Sequence, residues 1–275
     1  MLQRILRLFS RLPLPWIHGL GKILGWAAYL LSPTYASRLR ENLKQSGCRA
    51  DEYEALLKAS ISEAGKTFLE IIPVWFNREM VKLVKCDDWG VVDMATATGK
   101  GVIFLTPHLG CFEASALYGA QILPLTALYK KPKFEWLESV MKAGRRHLSL
   151  APADVSGVRK LLMALKRGEA VGLLPDQAPG AGEGEWADFF GRPAYTMTLV
   201  GRLQQSTGAA IIMAFAERLP KGLGYCLHLY ALPDEPVTPE SLNRAIERLV
   251  RTCPSQYMWS YNRYKAPAGA KPRNP

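Results

Sequence analysis

The sequence predicts an α/β protein: a mixed β-sheet flanked by helices, preceded by an N-terminal segment of hydrophobic and amphipathic character. Short runs rich in Val, Ile and Leu alternate with longer segments whose apolar residues recur at helical spacing. Such runs are typical of buried strands, because a sheet covered on both faces needs no alternating polar side chains. Strands that alternate with helices indicate an α/β fold. A chain of 275 residues is long enough to bury a hydrophobic core without disulfide bonds or structural metals.

The N-terminal part, residues 1–45, is predicted to associate with a membrane, and residues 46–275 to form the folded domain. At the very start, apolar side chains at helical spacing are interleaved with arginines, which predicts a basic amphipathic helix ended by prolines. The run 16–31 is apolar but carries His18 and Lys22, and it is shorter than the roughly 20 apolar residues of a spanning helix. We expect a monotopic or re-entrant anchor. A single tilted span and a buried helix of a soluble core are the alternatives.

Composition indicates the kind of partner. The formal net charge is +11, which suits anionic partners such as nucleic acid, anionic lipid headgroups or an acidic carrier protein. No nucleic-acid recognition motif occurs, and the basic residues near the N-terminus lie among apolar ones, which favours a membrane over nucleic acid. The five cysteines are scattered without a C-x-x-C pair, so no metal site or cofactor is predicted.

Four strands are predicted in the folded domain, together with three helices and a fourth that contains Glu113. The strands cover residues 101–106, 170–175, 209–217 and 225–232. The first three helices cover residues 51–69, begun by a capping box of Asp51 and Glu54; residues 134–148; and residues 156–167, capped by Ser156 and closed by Gly168.

The stretch GVIFLTPHLGCFEASALYGAQ places His108 directly after a predicted strand and Glu113 in the first turn of a predicted helix. Catalytic groups gather at the carboxyl ends of strands in α/β sheets. We expect the Leu109-Gly110 turn to bring the His108 ring to Glu113. The carboxylate would then bind one ring nitrogen and leave the other to take a proton from a hydroxyl. A histidine and a glutamate at this spacing also occur as a stabilising buried pair, so the motif alone leaves both interpretations open.

The motif with His108 and Glu113 is the first of four segments that follow one another along the chain in a characteristic order. They are HLGCFE at 108–113, ALKRGEAVGLLPDQAPG at 164–180, FFGRPAYTMTLVGRLQQSTGAAIIMAFAERL at 189–219 and QYMWSYNRYK at 256–265. Together they resemble the late acyltransferases of lipid A biosynthesis, members of the lysophospholipid acyltransferase superfamily.

This resemblance implies a glycerolipid acyltransferase-like fold and an enzyme with His108 and Glu113 as its catalytic pair. It implies transfer of a fatty acyl group from a thioester carrier, acyl carrier protein or coenzyme A, to a hydroxyl of a phosphorylated glucosamine lipid. It also implies a location at the cytoplasmic face of the bacterial inner membrane.

Four further residues are candidates for substrate binding. Arg145 and Arg146 end the predicted helix 134–148 and are expected to hold a phosphate of the acceptor or carrier, or else to be solvated at the helix terminus. Asp176 and Gln177 follow a predicted strand. Asp176 is expected to orient one of the arginines or the acceptor sugar, or else to form a turn.

Two alternative functions remain open from the sequence. The first is acyl transfer to another lysophospholipid or glycolipid acceptor by the same chemistry. The second is a non-catalytic, membrane-bound lipid-binding protein on the same fold. The intact pair of His108 and Glu113 argues against the second, since a binding protein has no need of it.

Overall fold

A seven-stranded sheet covered by helices on both faces forms the centre of the molecule, with a two-stranded hairpin beside it. The structure, a computed structural model, describes residues 2–86 and 88–270. The α-helices of this part are α1 (Leu2–Phe9), α2 (Leu14–Leu31), α3 (Pro33–Gln45), α4 (Tyr53–Phe76), α5 (Gly90–Thr96), α6 (Phe112–Ile122), α7 (Glu135–Gly144), α8 (Val155–Lys166), α9 (Leu199–Thr207) and α10 (Pro239–Thr252). The strands are β1 (Val84–Cys86), β2 (Val102–Leu105), β3 (Leu125–Tyr129), β4 (Ser149–Pro152), β5 (Ala170–Leu173), β6 (Gly184–Phe189), β7 (Arg192–Met197), β8 (Ala210–Arg218) and β9 (Tyr225–Ala231).

The sheet has the strand order β1-β9-β8-β2-β5-β3-β4. Strands β8, β2, β5, β3 and β4 are mutually parallel. Strand β9 is antiparallel to β8 and parallel to β1, so the sheet is mixed. The predicted α/β class with a mixed sheet flanked by helices is confirmed. The four predicted strands correspond to β2, β5, β8 and β9.

Strand β2 shows why its sequence is apolar throughout. Ile103 and Leu105 belong to one core cluster with residues of α8, α9 and α10. Val102 and Phe104 belong to a second cluster with residues of α5 and α6. Successive side chains of a strand point to opposite faces. Both faces of β2 are therefore buried under helices, as its sequence predicts.

Two predicted helices have different ends in the structure. The capping box of Asp51 and Glu54 does not form, because the Asp51 carboxylate accepts from Arg49 at 3.1 Å and α4 begins at Tyr53 without a side-chain cap. The predicted helix 134–148 is shorter, since α7 ends at Gly144 and Arg145 follows with non-helical backbone.

The cap of α8 also differs from the prediction. Asp154 caps this helix, with its Oδ1 accepting from the Gly157 backbone N–H at 3.0 Å. Ser156 instead donates its hydroxyl to the same carboxylate at 2.6 Å. Both residue types are good N-caps, so the turn geometry before the helix decides between them. Gly168, with φ of 76°, follows the end of the helix as predicted.

Helices α1 and α2 lie against α4. The backbones of α2 and α4 approach so closely that a Cβ on Gly65 would lie 2.0 Å from the Gly21 carbonyl oxygen and 2.4 Å from the Gly25 nitrogen. Only one face of α2 is packed in this way. Large apolar side chains of α1 and α2 remain exposed: Leu2, Ile5, Leu8, Trp16, Leu20, Ile23, Leu24, Leu30 and Leu31. Over residues 2–86 and 88–270, we find no helix with the length and apolar character needed to cross a bilayer.

A buried ion cluster ties α2 and α4 to the sheet. Arg218 of β8, 4% exposed, pairs with Glu70 and Glu63 of α4. Glu70 also accepts from the Tyr225 hydroxyl and contacts His18 Nε2, both at 3.1 Å. Burial raises the pKa of Glu70, but the charge and hydrogen bonds of Arg218 outweigh it and lower this pKa to about 2. The boundary at residue 45 between a membrane-associating segment and a folded domain stays a prediction.

Candidate functional site

The loop that carries His108 leaves the carboxyl end of β2 and enters α6. It is held by backbone contacts from two other elements. Gly110 N–H donates to the Gln256 carbonyl at 3.1 Å, and Met258 N–H donates to the His108 carbonyl at 3.0 Å. Gly110 has φ of 61°, and a Cβ there would lie 2.1 Å from the Ala216 carbonyl oxygen, so only glycine fits this crossing. The loop is therefore fixed against β8 and the C-terminal segment.

Asp176 is the residue that holds the His108 side chain. Its Oδ1 lies 2.8 Å from His108 Nδ1, and its Oδ2 accepts from the His108 backbone N–H at 2.9 Å. Strands β2 and β5 are parallel neighbours with Leu105 paired to Leu173. His108 and Asp176 each lie three residues beyond these partners, after a proline. Equal offsets from paired strand ends bring the two side chains together at one edge of the sheet.

The contacts indicate which ring nitrogen of His108 carries the proton when the imidazole is neutral. Burial raises the pKa of Asp176, but the charge of His108 and the hydrogen bonds from it outweigh burial, so this pKa lies below its ordinary value. An ionised carboxylate only accepts hydrogen bonds, which places the ring proton on Nδ1. Nε2 then presents its lone pair, 3.2 Å from the side-chain nitrogen of Gln177. This is the form of a histidine that can accept a proton.

Glu113 is placed differently from the expectation that it orients His108. It is 4% exposed, and its carboxylate pairs with the Arg145 guanidinium through two nitrogens. It also accepts from Trp75 Nε1 at 2.7 Å. The orienting contact that we expected from Glu113 is made by Asp176 instead. The physical reason is that both ring nitrogens of His108 already face partners from the loop after β5.

An apolar cavity lies beside this site, between the sheet and α6. It measures about 670 Å³, including the part open to solvent. Thr106 and Leu174 line it, each two residues before His108 and Asp176, together with Glu113. The remaining walls are mainly apolar or small, from Trp89, Phe104, Ala116, Gly119, Ala127, Leu148, Gly172 and Leu229 among others. The site thus pairs a proton acceptor with an apolar space.

Comparison with known proteins decides the family. The family model for "Bacterial lipid A biosynthesis acyltransferase" matches residues 2–266. The chain belongs to this family. It is 25% identical to "Lipid A biosynthesis lauroyltransferase" of Escherichia coli (strain K12), over 98% of this chain and 92% of that one. It is 26% identical to "Lipid A biosynthesis palmitoleoyltransferase" of the same organism, over 95% and 89%. It is 27% identical to "Lipid A biosynthesis acyltransferase" of Haemophilus influenzae (strain ATCC 51907 / DSM 11121 / KW20 / Rd), over 61% and 55%.

The resemblance drawn from the sequence is therefore confirmed, and the chain is an O-acyltransferase by family. In this acyltransferase the four resembling segments meet at one place. The third segment supplies Ala216, whose carbonyl accepts from Cys111 N–H at 2.8 Å. The fourth supplies Tyr261, whose hydroxyl accepts from the Ala178 backbone N–H at 3.1 Å. These contacts fix the positions of the loop that carries His108 and the loop that carries Asp176.

The two arginines that the sequence grouped together separate in the acyltransferase. Arg145 turns toward Glu113 and lies over the Trp75 ring, 5.3 Å from its centroid. Arg146 is exposed and lines a different cleft. The side-chain nitrogen of Gln177 lies 3.2 Å from His108 Nε2. The catalytic and binding roles of these residues stay predictions.

Trp75 and the role of Asp176 were not foreseen from the sequence. Trp75 lies in an apolar helix and carries no motif. For Asp176, a signal was present: two apolar runs end in Thr-Pro-His and Leu-Pro-Asp. Had β2 and β5 been recognised as parallel neighbours, this repetition would have predicted the contact.

Proposed function

We propose that this acyltransferase moves a fatty acyl chain from a thioester carrier, acyl carrier protein or coenzyme A, to a hydroxyl of a lipid A precursor at the cytoplasmic face of the bacterial inner membrane. The observation that carries the proposal is the contact between His108 and Asp176 beside an apolar cavity. The printed names of the relatives, which specify lipid A biosynthesis, support the acceptor class.

His108 acts as the general base in the proposed reaction. The acceptor hydroxyl replaces the Gln177 amide at Nε2, and its oxygen attacks the thioester carbonyl as its proton passes to Nε2. Asp176 keeps the ring proton on Nδ1 and stabilises the imidazolium that forms. The tetrahedral intermediate then expels the thiolate, which takes the proton back from Nε2. Ester, free thiol and neutral imidazole result, so protons and electrons balance.

Glu113 has a supporting role in this mechanism. Its carboxylate pairs with Arg145, which also lines the cavity, and accepts from Trp75 Nε1. Glu113 lies in the first turn of the helix that follows the His108 loop. Without its partner, a buried carboxylate of this kind would disturb the wall. We therefore place Glu113 as a residue that shapes the site and assign the orientation of His108 to Asp176.

The apolar cavity is the proposed site of the acyl chain. Burying a chain in it is favourable by about 0.8 kcal/mol per methylene. A chain held there would place its carboxyl end near Thr106 and Leu174, and so near His108.

Filling this cavity tests the assignment of the acyl chain. Ala116→Phe should shift the preference of the enzyme toward shorter acyl donors, because Ala116 lines the cavity. Ala97→Phe makes the same change at an exposed position and is the matched control. An unaltered preference in Ala116→Phe would place the acyl chain elsewhere.

The exposed face of α1 and α2 is the proposed membrane contact. Leu8, Trp16 and Leu31 are 71%, 68% and 83% exposed, and Arg4 and Arg7 lie among these apolar side chains. A basic amphipathic surface of this kind binds the interface of anionic bilayers. High salt should release the protein only partly, since salt screens the arginines but not the apolar contacts. Complete release by salt alone would contradict an apolar contact with the membrane.

The function itself is tested by an acylation assay on the purified full chain. Acyl carrier protein and coenzyme A thioesters are offered with a lipid A precursor, a lysophospholipid and a neutral glycolipid, and products are identified by mass spectrometry. We expect acylation of the lipid A precursor, and a loss of about 10²- to 10⁴-fold in His108→Ala. Turnover only with another acceptor would reassign the substrate. Normal turnover in His108→Ala would reject the mechanism.

A further inference from the structure

A second cleft has Trp75 in its lining, and the catalytic residues His108 and Asp176 are not part of that lining. It measures about 850 Å³, including the part open to solvent. Its polar lining comes from Arg78, just after α4, from Gln121 near the end of α6, and from Arg146 and His147, just after α7. None of its lining residues is acidic. The proposed mechanism uses none of these polar side chains.

The charges of this cleft are uncompensated. Arg78 and Arg146 are exposed, and neither makes an ion pair or side-chain hydrogen bond with residues 2–86 or 88–270. His147 Nε2 is shielded from solvent and also lacks a partner in that part of the chain. The neighbouring Arg145, in contrast, is neutralised by Glu113. The cleft therefore presents two free guanidinium groups, and an unpartnered imidazole nitrogen is buried in its wall.

The packing around Trp75 explains why adjacent arginines have different partners. A Cβ on Gly144 would lie 2.6 Å from the Trp75 side chain, so the end of α7 rests directly on the indole. Arg145, the next residue, lies over the indole ring and pairs with Glu113. Arg146, one residue further, lines the cleft together with Arg78. Trp75 thus contacts Glu113 and Arg145 and also lines the basic cleft.

The cleft also lies close to the proposed membrane surface. Asn77, next to Arg78, donates its side-chain amide to the Ser10 carbonyl at the end of α1. Along α6, Gln121 is eight residues beyond Glu113, which corresponds to about 12 Å at 1.5 Å per residue. A lipid whose hydroxyl reaches His108 could therefore place another part of its headgroup in the cleft.

We propose that this basic cleft binds a phosphate monoester on the headgroup of the acceptor lipid, with Arg78 and Arg146 as its main ligands. The inference rests on the proposed function for the identity of the acceptor. Guanidinium groups match the oxygens of a phosphate in pairs. A phosphate monoester carries close to two negative charges and balances both arginines, whereas a carboxylate balances only one. The side-chain amide of Gln121 supplies a further donor.

The experiment compares a phosphorylated acceptor with the same lipid after removal of its phosphate. Variants Arg78→Ala, Arg146→Ala and Arg146→Lys are assayed as full chains in neutral detergent. Arg202→Ala is the matched control, because Arg202 is an exposed arginine of α9, on the other face of the sheet. For each acceptor, kcat/KM is measured together with KM for the donor, and binding of each acceptor is measured without donor.

We expect each alanine variant to lose about 10- to 150-fold in kcat/KM on the phosphorylated acceptor, the usual effect of losing a charge-assisted hydrogen bond. The dephosphorylated acceptor should change by less than about 3-fold, and Arg146→Lys should recover part of the loss. Binding of the phosphorylated acceptor should weaken in parallel. Arg202→Ala and the donor KM should not change.

Two results would overturn the inference while leaving the proposed function intact. Equal losses on both acceptors would mean that the arginines serve the fold. A raised donor KM with both acceptors would assign them to a phosphate of the thioester carrier. Conversely, a wild-type protein that binds the phosphorylated lipid through Arg78 and Arg146 but transfers no acyl group would support the cleft and reject the proposed function.

Discussion

Replacing Asp176 by Asn distinguishes the role of Asp176 from that of Glu113, the other carboxylate of the site. The substitution keeps the shape of the side chain and removes its charge. Asp176 makes two hydrogen bonds to His108, at 2.8 Å to Nδ1 and 2.9 Å to the backbone N–H, and is 2% exposed. Losing one charge-assisted bond costs about 1.5–3 kcal/mol, or roughly 10- to 150-fold in rate. An amide at this position can also stabilise the wrong ring tautomer, which extends the loss toward about 10⁴-fold.

We therefore expect Asp176→Asn to lower kcat by about 10- to 10⁴-fold and to change KM by less than about 3-fold, because Asp176 acts through His108 rather than on the substrate. Glu113→Gln should lower kcat less, because the amide still reaches Trp75 and Arg145. Initial rates of acyl transfer by purified full-length variants give both parameters, and circular dichroism checks that each variant is folded.

A double-mutant cycle makes the test stricter. If Asp176 holds His108 and Glu113 holds Arg145, the effects of Asp176→Asn and Glu113→Gln should add within about 0.5 kcal/mol. The reasoning would be refuted if a folded Asp176→Asn retained its kcat while Glu113→Gln lost it. That result would return the orientation of His108 to Glu113, as the sequence motif first indicated.

Three further predictions concern stability and are checked by thermal and denaturant unfolding. Gly65→Ala should lower the free energy of unfolding by at least about 1–3 kcal/mol, because its Cβ would meet the backbone of α2. The control Gly19→Ala, whose Cβ would have nothing within 4 Å, should be neutral or stabilising. Equal effects of the two substitutions would exclude the close helix contact. Glu70→Gln should cost about 3–5 kcal/mol near neutral pH by leaving Arg218 short of a partner. The folded-state pKa of Glu70 is lowered to about 2, so the stabilisation from its charge is present above pH 4.5 and is lost toward pH 2. The difference in unfolding free energy between wild type and Glu70→Gln should therefore shrink on acidification. A difference that stays constant with pH would contradict this. Arg145→Ala should also cost about 3–5 kcal/mol, whereas a change below about 1 kcal/mol would mean that its buried pairing contributes little.

The sequence predicted the parts of the fold that depend on local periodicity. The strand at 101–106 was recognisable because both faces of β2 are buried, which leaves no polar position in the run. The helix after Ser156 was recognisable from its apolar spacing, although its cap was assigned two residues too late. The longer α4 and the shorter α7 show that the ends of helices depend on neighbouring elements, such as the Trp75 ring against Gly144.

The sequence by itself determined that His108 follows a buried strand, that Gly110 permits the sharp turn after it, and that Glu113 begins the next helix, since spacing and residue type report burial and backbone conformation. Only the tertiary structure decided which side chains meet. Asp176 reaches His108 across 68 residues because β2 and β5 are parallel neighbours, and Arg145 reaches Glu113 across 32 residues because α7 ends against Trp75. A carboxylate next to a histidine in sequence need not be its partner, because hydrogen bonds act over about 3 Å in space and the order of strands and helices sets what lies within that distance.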